Sequence, residues 1–176
     1  MFFIHKCKRD EYVSAWKDIY NRKKDKINSN PLFDEVNPML NKTALKTEID
    51  NYCVVAYDNS IYSENFKYGT PVGVFSFVVT NSKVIGKQFA VDPDYHGRGL
   101  GKALLLANEK QLLDHDIKRY YIGCSKCSSG ILKQWGEVPY SENVEKDMFK
   151  YWIDLPRDNM SDLYKECITD KYIQVI

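Results

Sequence analysis

The sequence lacks most of the features that would assign it to a specialised class. No stretch approaches the roughly 20 consecutive apolar residues that a membrane-spanning helix requires, so no membrane crossing is expected. The opening Met1–Asp10 holds no hydrophobic segment of secretory length, so no leader is expected either. Excess charge of one sign is missing as well: 25 Lys and Arg stand against 24 Asp and Glu, a formal net charge of +1. That balance argues against a dedicated nucleic-acid binder, which needs a strongly basic face. Histidine is scarce, and His5 and His115 stand in no recognisable constellation. The five cysteines are odd in number and thinly spread, which reads as reduced thiols in a cytoplasmic protein. Cys124-Ser125-Lys126-Cys127 has no second pair to complete a zinc tetrahedron, so no metal is expected. No repeat, low-complexity tract or linker divides the chain, and 176 residues suit one domain over 1–176.

What is present is an ordinary globular composition, 44% apolar and 28% charged, enough to build a core. Met1–Lys6 reads as a strand, and Asp10 opens a helix with Tyr12, Trp16, Ile19 and Tyr20 at helical spacing. Asn28–Asn37 reads as a loop and Met39–Ile49 as a second helix. Tyr52–Tyr57, Pro71–Thr80 (broken by Gly73) and Lys83–Val91 read as strands, the last two joined by a turn at Asn81-Ser82. A helix from about Gly99 to Asp114, a strand Arg119–Cys124 and a short helix Ser128–Trp135 closed by Gly136 follow. Val138–Ser141 and Phe149–Leu155 read as a hairpin, Asp158–Cys167 as a last helix and Lys171–Ile176 as a final strand. Charge is uneven: residues 1–30 carry eight Lys and Arg against four acids, the pattern of a solvated helix face. Residues 137–162 carry seven acids against three bases, a pattern that would attract a cationic substrate.

The richest segment is Val91-Asp92-Pro93-Asp94-Tyr95-His96-Gly97-Arg98-Gly99-Leu100-Gly101-Lys102. A β-branched and aromatic run enters it and Ala103-Leu104-Leu105-Leu106-Ala107 leaves it, giving strand, glycine-rich turn and helix. That arrangement gathers unpaired backbone N–H groups at the positive end of a helix dipole, a site suited to phosphate. Gly97, Gly99 and Gly101 carry no Cβ to keep an anion from the amides, and Arg98 and Lys102 add positive charge. A nucleotide-hydrolase phosphate loop is excluded, because Gly97 and Gly101 are too close and Ala103 replaces the metal-binding hydroxyl. A dinucleotide fingerprint is excluded because Lys102 stands where its third glycine belongs.

His96-Gly97-Arg98-Gly99-Leu100-Gly101 resembles the acetyl-CoA signature of the GNAT family of N-acetyltransferases, written [Q/R]-x-x-G-x-[G/A], with His in place of Gln or Arg. The preceding Val-x-Pro-x-Tyr and the following Lys-x-Leu-Leu are similar too, and element order follows the family over roughly Met1–Leu155. The resemblance implies an α/β (α+β) fold: a mixed, mostly antiparallel sheet flanked by helices, with 156–176 as a C-terminal extension. It implies that the strand before the glycine loop parts from the strand after the long helix, the pantetheine arm lying between them. Coenzyme contacts then fall on Phe89, Ala90, Val91, His96, Gly97, Arg98, Gly99, Leu100, Gly101 and Lys102. The main chain of Phe89 and Val91 would meet pantetheine and thioester, and the amides of Gly97 through Lys102 the pyrophosphate. The implied reaction is direct attack of a primary amine, on a small molecule or a protein, upon the thioester of acetyl-CoA.

Two departures bear on proton transfer. Ser82–Val91 contains no carboxylate, and Ile85 stands where relatives place a Glu, so a water relay or a base from another element is expected. Tyr140, Glu137, His115 and Gln88 are the candidates, with Tyr140 the assigned catalytic residue. Counting back four from Gly136 reaches Leu132 rather than the Tyr that protonates the thiolate in relatives. A thiol leaving group of pKa about 8.5 needs little help to depart. The same losses motivate an alternative, a non-catalytic acyl-CoA-binding or regulatory module on this scaffold. An edge-strand homodimer through the C-terminal strands is a further option.

Overall fold

The computed structural model describes residues 1–28 and 50–176, without the side chains of 24–28, 50–51, 88 and 126–128. The loop and second helix expected between Asn28 and Ile49 therefore lie almost wholly outside the described residues. Eight strands form one sheet: β1 (Phe2–Cys7), β2 (Asp50–Asp58), β3 (Thr70–Thr80), β4 (Lys83–Val91), β5 (Arg119–Cys124), β6 (Ser141–Asn143), β7 (Met148–Asp154) and β8 (Gln174–Val175). Their order is β6-β7-β5-β4-β3-β2-β1-β8. Only β4–β5 and β1–β8 pair in parallel, so the sheet is mixed and mostly antiparallel.

Among the described residues the helices are α1 (Arg9–Asn28), α2 (Leu100–Asp114), α3 (Lys126–Gln134) and α4 (Met160–Tyr164), the last running into a π-helical turn at Lys165–Thr169. Buried Tyr12, Ala15, Trp16 and Ile19 recur at the spacing of one helical stripe, and they lay α1 on Val55, Tyr57, Val74 and Ala90. The alternate residues Val54, Ala56, Phe75 and Phe77 face the other way and meet α2, α3 and the C-terminal turns. Pro71 to Val78 is buried without interruption, as a strand covered on both faces must be. In α2 every residue from Ala103 through Glu109 is buried, because the sheet lies below the helix and the C-terminal segment above it.

Gly73 does not break β3. The register shifts there, with Ala56 opposite Gly73 and Tyr57 opposite Pro71, which is a bulge. A Cβ on Gly73 would stand 2.8 Å from Leu104 Cδ1, so the missing side chain lets α2 lie close on the sheet. The hairpin begins later than expected, at Ser141, with the Tyr140 N–H already donating to the Lys150 carbonyl at 2.9 Å. The final strand shrinks to Gln174–Val175, the last helix to Met160–Tyr164, and α3 starts at Lys126. Residues 156–176 pack Leu163, Cys167, Ile168 and Ile173 into the same core as α2. Arg157 fastens them: its guanidinium forks onto buried Glu109 at 2.6–3.2 Å and donates to Glu137 at 2.6 Å.

Candidate functional site: a glycine loop at a forked sheet

β4 and β5 pair only at Ile85–Tyr121 and Gly86–Ile122. Beyond Gly86 the strands part, so the sheet opens into a fork whose arms are Lys87–Val91 and Gly123–Cys124. A bulge aids the opening. Val74 pairs with Ala90 and Ser76 with Lys87, leaving Gln88 and Phe89 together opposite Phe75. Such a bulge bends its strand and withdraws backbone groups from the ladder. Phe89 turns onto Phe75 at 5.1 Å, and Ala90 is buried against α1, so both offer a ligand only main chain.

The loop at the end of the β4 arm is held by Pro93 and Tyr95 of the Val-x-Pro-x-Tyr run and by Asp92, Arg22 and Lys23, which no sequence motif marks. Asp92 is fully buried; it accepts from the Asp94 N–H at 2.9 Å and from Arg22 at 3.1 Å. Arg22 also donates to the Pro71 carbonyl at 2.5 Å, and Lys23 binds Asp94, so the end of α1 clamps the loop. Pro93–Tyr95 forms a short 3-10 turn with Pro at its first position, where no N–H is missed. Tyr95 then donates to Asp58 at 2.8 Å. Burial, then the bond to Asp58, pushes the Tyr95 phenol up to about 12. Burial works against the Asp58 carboxylate, yet hydrogen bonds from Ser60 and Tyr95 prevail and hold its pKa below the ordinary carboxylate value.

His96 is exposed, and its Nε2 lies 2.9 Å from the Val91 carbonyl, to which it donates. That contact ties the turn back to the strand and engages the very carbonyl expected to meet pantetheine. Gly97 (φ 78°) and Gly99 (φ 79°) adopt the left-handed conformation, and Gly99 is the N-cap of α2. A Cβ at either would meet no protein atom within 4 Å, so both border open space. Gly101 differs: its Cβ would come within 3.3 Å of Phe89 and 3.2 Å of Ile131, so this glycine brings helix, strand and α3 together. Ala103 makes the first helical bond, to the Gly99 carbonyl at 3.1 Å. The N–H groups before it are the unpaired donors of a helix start. Arg98 lies over the Tyr95 ring at 4.6 Å beside them, while Leu100 is buried and anchors the helix. Lys102, next along, lies close enough to act on Cys167, whose thiol burial raises and Lys102 lowers.

The proton-transfer candidates are scattered. His115 caps the far end of α2, about 22 Å away at ~1.5 Å per residue, its ring tilted against Tyr52 at 4.9 Å. Glu137 is bound to Arg157, with burial raising its pKa and Arg157 opposing that. The Gln88 side chain lies outside the described residues. Leu132 is buried in the core where relatives would show a phenol. Tyr140 is 56% exposed and meets Trp152 edge-on at 5.7 Å, on the sheet face that α1 occupies elsewhere. Burial pushes the Cys124 thiol up to about 12, so it stays protonated near neutrality. No group of three metal-ligating side chains occurs among the described residues, and no described helix is long and apolar enough to cross a membrane.

The model of the Acetyltransferase (GNAT) family matches residues 12–130. Solved structures share the fold. The chain resembles the PaiA N-acetyltransferase from Thermoplasma acidophilum in complex with coenzyme A, with TM-score 0.59, 15% identity, and coverage of 88% of this chain and 99% of that one. It resembles the spermidine N-acetyltransferase from Vibrio cholerae in complex with CoA and spermine, with TM-score 0.56, 15% identity, and coverage of 89% and 96%. A CoA-dependent acyl-homoserine lactone synthase, solved with SAM and isopentyl-CoA, aligns over 100% of this chain and 94% of its own, with TM-score 0.65 and 14% identity. No curated protein matches the sequence.

Proposed function

We propose, from the premise that the chain belongs to the Acetyltransferase (GNAT) family, that it is an acyltransferase moving the acetyl group of acetyl-CoA onto a primary amine. The observation that carries this reading is the loop Gly97–Lys102, placed between the open fork and the start of α2. The diphosphate of CoA lies on the unpaired N–H groups of that loop, with Arg98 alongside. Pantetheine runs into the fork along the main chain of Phe89 and Val91, and His96 yields the Val91 carbonyl as it enters. An N–H freed by the bulge faces the thioester oxygen and stabilises the charge that develops there. The neutral amine nitrogen attacks the carbonyl carbon to form the C–N bond, the C–S bond breaks, and the proton that the nitrogen sheds balances the one the departing thiolate takes up, giving the amide and CoA. Positioning of the two reactants supplies much of the rate.

The experiment is a titration of the protein with acetyl-CoA, followed by thiol release against a panel of amines. Binding together with amine-dependent thiol release is the expected result. Absence of binding at millimolar cofactor sinks the proposal. A second reading, a non-catalytic acyl-CoA-binding or regulatory module, is favoured by Leu132 and by the missing carboxylate on β4. Tight binding without turnover of any amine selects it.

A further inference from the structure

The face of the fork turned toward α1 carries a row of exposed rings with an uneven charge around it. Along this face β4 presents Lys83, Ile85 and Lys87, β5 presents Arg119, Tyr121 and Gly123, and β7 presents Met148, Lys150, Trp152 and Asp154, by strand alternation from their paired positions. Tyr121 lies against Trp152 at 4.2 Å with the rings tilted by 55°, and Tyr140 meets that indole edge-on at 5.7 Å, so three rings cluster into one floor. Trp152 remains 43% exposed, an aromatic surface that no described segment covers. The floor sits one row below the fork, since Ile85, Tyr121 and Trp152 are paired neighbours and the next row, Gly86 and Ile122, is the last before the strands part. Whatever occupies the floor therefore stands where an acyl group held in the fork would emerge.

The charge on the three strands of this face is four cations against one acid. Asp154 is the acid, and Arg119 already holds it at 2.5 Å while lying over the Trp152 ring. Lys83 lies over Tyr121 at 5.2 Å. Lys87 and Lys150 are exposed, make no ion pair among the described residues, and flank the fork mouth, Lys150 by pairing with Gly123. Of the acids counted over 137–162, β7 brings only Asp154 to its part of this face, where Arg119 holds it, and Glu137 is bound to Arg157. A polycation would be repelled from such a surface, whereas a carboxylate or phosphate would find Lys87 and Lys150 unengaged. The same cations disfavour an ammonium among them and so favour the neutral, nucleophilic amine, which eases the lack of a carboxylate base on β4.

Resting on the acetyl-transfer reading above, we infer that the acceptor is a primary amine carrying both an aromatic ring and a negatively charged group, as an aromatic amino acid does. The ring stacks on Trp152 and Tyr140, the acid pairs with Lys87 or Lys150, and the amine points into the fork. This acceptor is opposite in sign to the cationic substrate that the acid-rich segment 137–162 suggested.

The test compares tryptophan with tryptamine, tyrosine with tyramine, and spermidine as the polycation, by thiol release from acetyl-CoA. Each amino acid should exceed its decarboxylated partner by about tenfold or more in kcat/KM, about 1.4 kcal/mol, and spermidine should be poorest. Lys150→Glu and Lys87→Glu should raise KM for the amino acids without changing CoA affinity, and should narrow or reverse the preference over the amines. Trp152→Ala should raise KM for both ring-bearing classes. Tryptamine or spermidine turned over at least as well as tryptophan overturns this inference while leaving acetyl transfer standing. Bound CoA without thiol release for any amine overturns both, and absence of CoA binding removes the site itself.

Discussion

Replacing Gly99 by leucine separates the phosphate-binding role of the loop from its structural role. A Cβ at Gly99 would meet no protein atom within 4 Å, so the side chain starts into open space. The cost to the fold is the backbone, since φ is 79° and a left-handed residue with a Cβ costs about 1–2 kcal/mol. For a domain of this size that lowers Tm by roughly 2–8 °C. The cost to binding is larger, because leucine would fill the space from which an anion reaches the amides of Gly99–Lys102. Losing two charge-assisted hydrogen bonds at about 1.5–3 kcal/mol each removes roughly 3–6 kcal/mol. At about 1.4 kcal/mol per tenfold, acetyl-CoA affinity should fall by about 10²–10⁴. Gly99→Asn serves as the control, because asparagine tolerates the left-handed region and reports crowding with less strain. Calorimetric titration beside thermal unfolding reads both quantities. A folded Gly99→Leu protein that binds acetyl-CoA as tightly as the parent refutes the reasoning.

Three further outcomes are expected. Arg157→Ala leaves Glu109, fully buried, with only the Tyr120 hydroxyl at 2.5 Å, and should cost about 3–5 kcal/mol in denaturant unfolding; the double replacement Glu109→Leu with Arg157→Leu should recover much of that, and a single replacement without effect would contradict the pairing. Asp58 has a folded-state pKa below its unfolded value, so its contribution is complete above about pH 4 and disappears as pH falls through the folded value. Tyr95→Phe should lower stability at pH 7 by about 1–2 kcal/mol and flatten the acid limb; an unchanged limb counts against the bond. The raised Cys124 thiol should resist alkylation in native protein at neutral pH, so Cys124→Ser should leave the rapidly labelled fraction unchanged.

How much of this could be read from the chain follows from the range of each interaction. The strand, glycine turn and helix of Val91–Leu106 are local, and their glycine spacing states the backbone requirement directly. Leu132 in place of a phenol and the lack of a carboxylate over Ser82–Val91 are local too and are read directly from the chain. The bulge at Gln88–Phe89 leaves no mark in the sequence, because it is defined by what lies opposite on β3. The clamp of Arg22 on Asp92 spans 70 positions and the Arg157–Glu109 fork 48, distances at which charges in a balanced sequence have no visible partner. The ring floor was hidden for the same reason: Tyr121 and Trp152 meet only through the β5–β7 register. A count of acids over 137–162 does not tell that Asp154 is held by Arg119 and Glu137 by Arg157.

Parallel calorimetric titration with CoA and with pantetheine, which lacks the nucleotide and the diphosphate, probes the diphosphate cradle itself. Saturable CoA binding at one site per chain is expected, with pantetheine weaker by at least about 10²-fold, the equivalent of two lost charge-assisted hydrogen bonds. Equal affinity for the two would place the ligand's anchor somewhere other than the Gly97–Lys102 amides, and the proposed coenzyme site would be wrong.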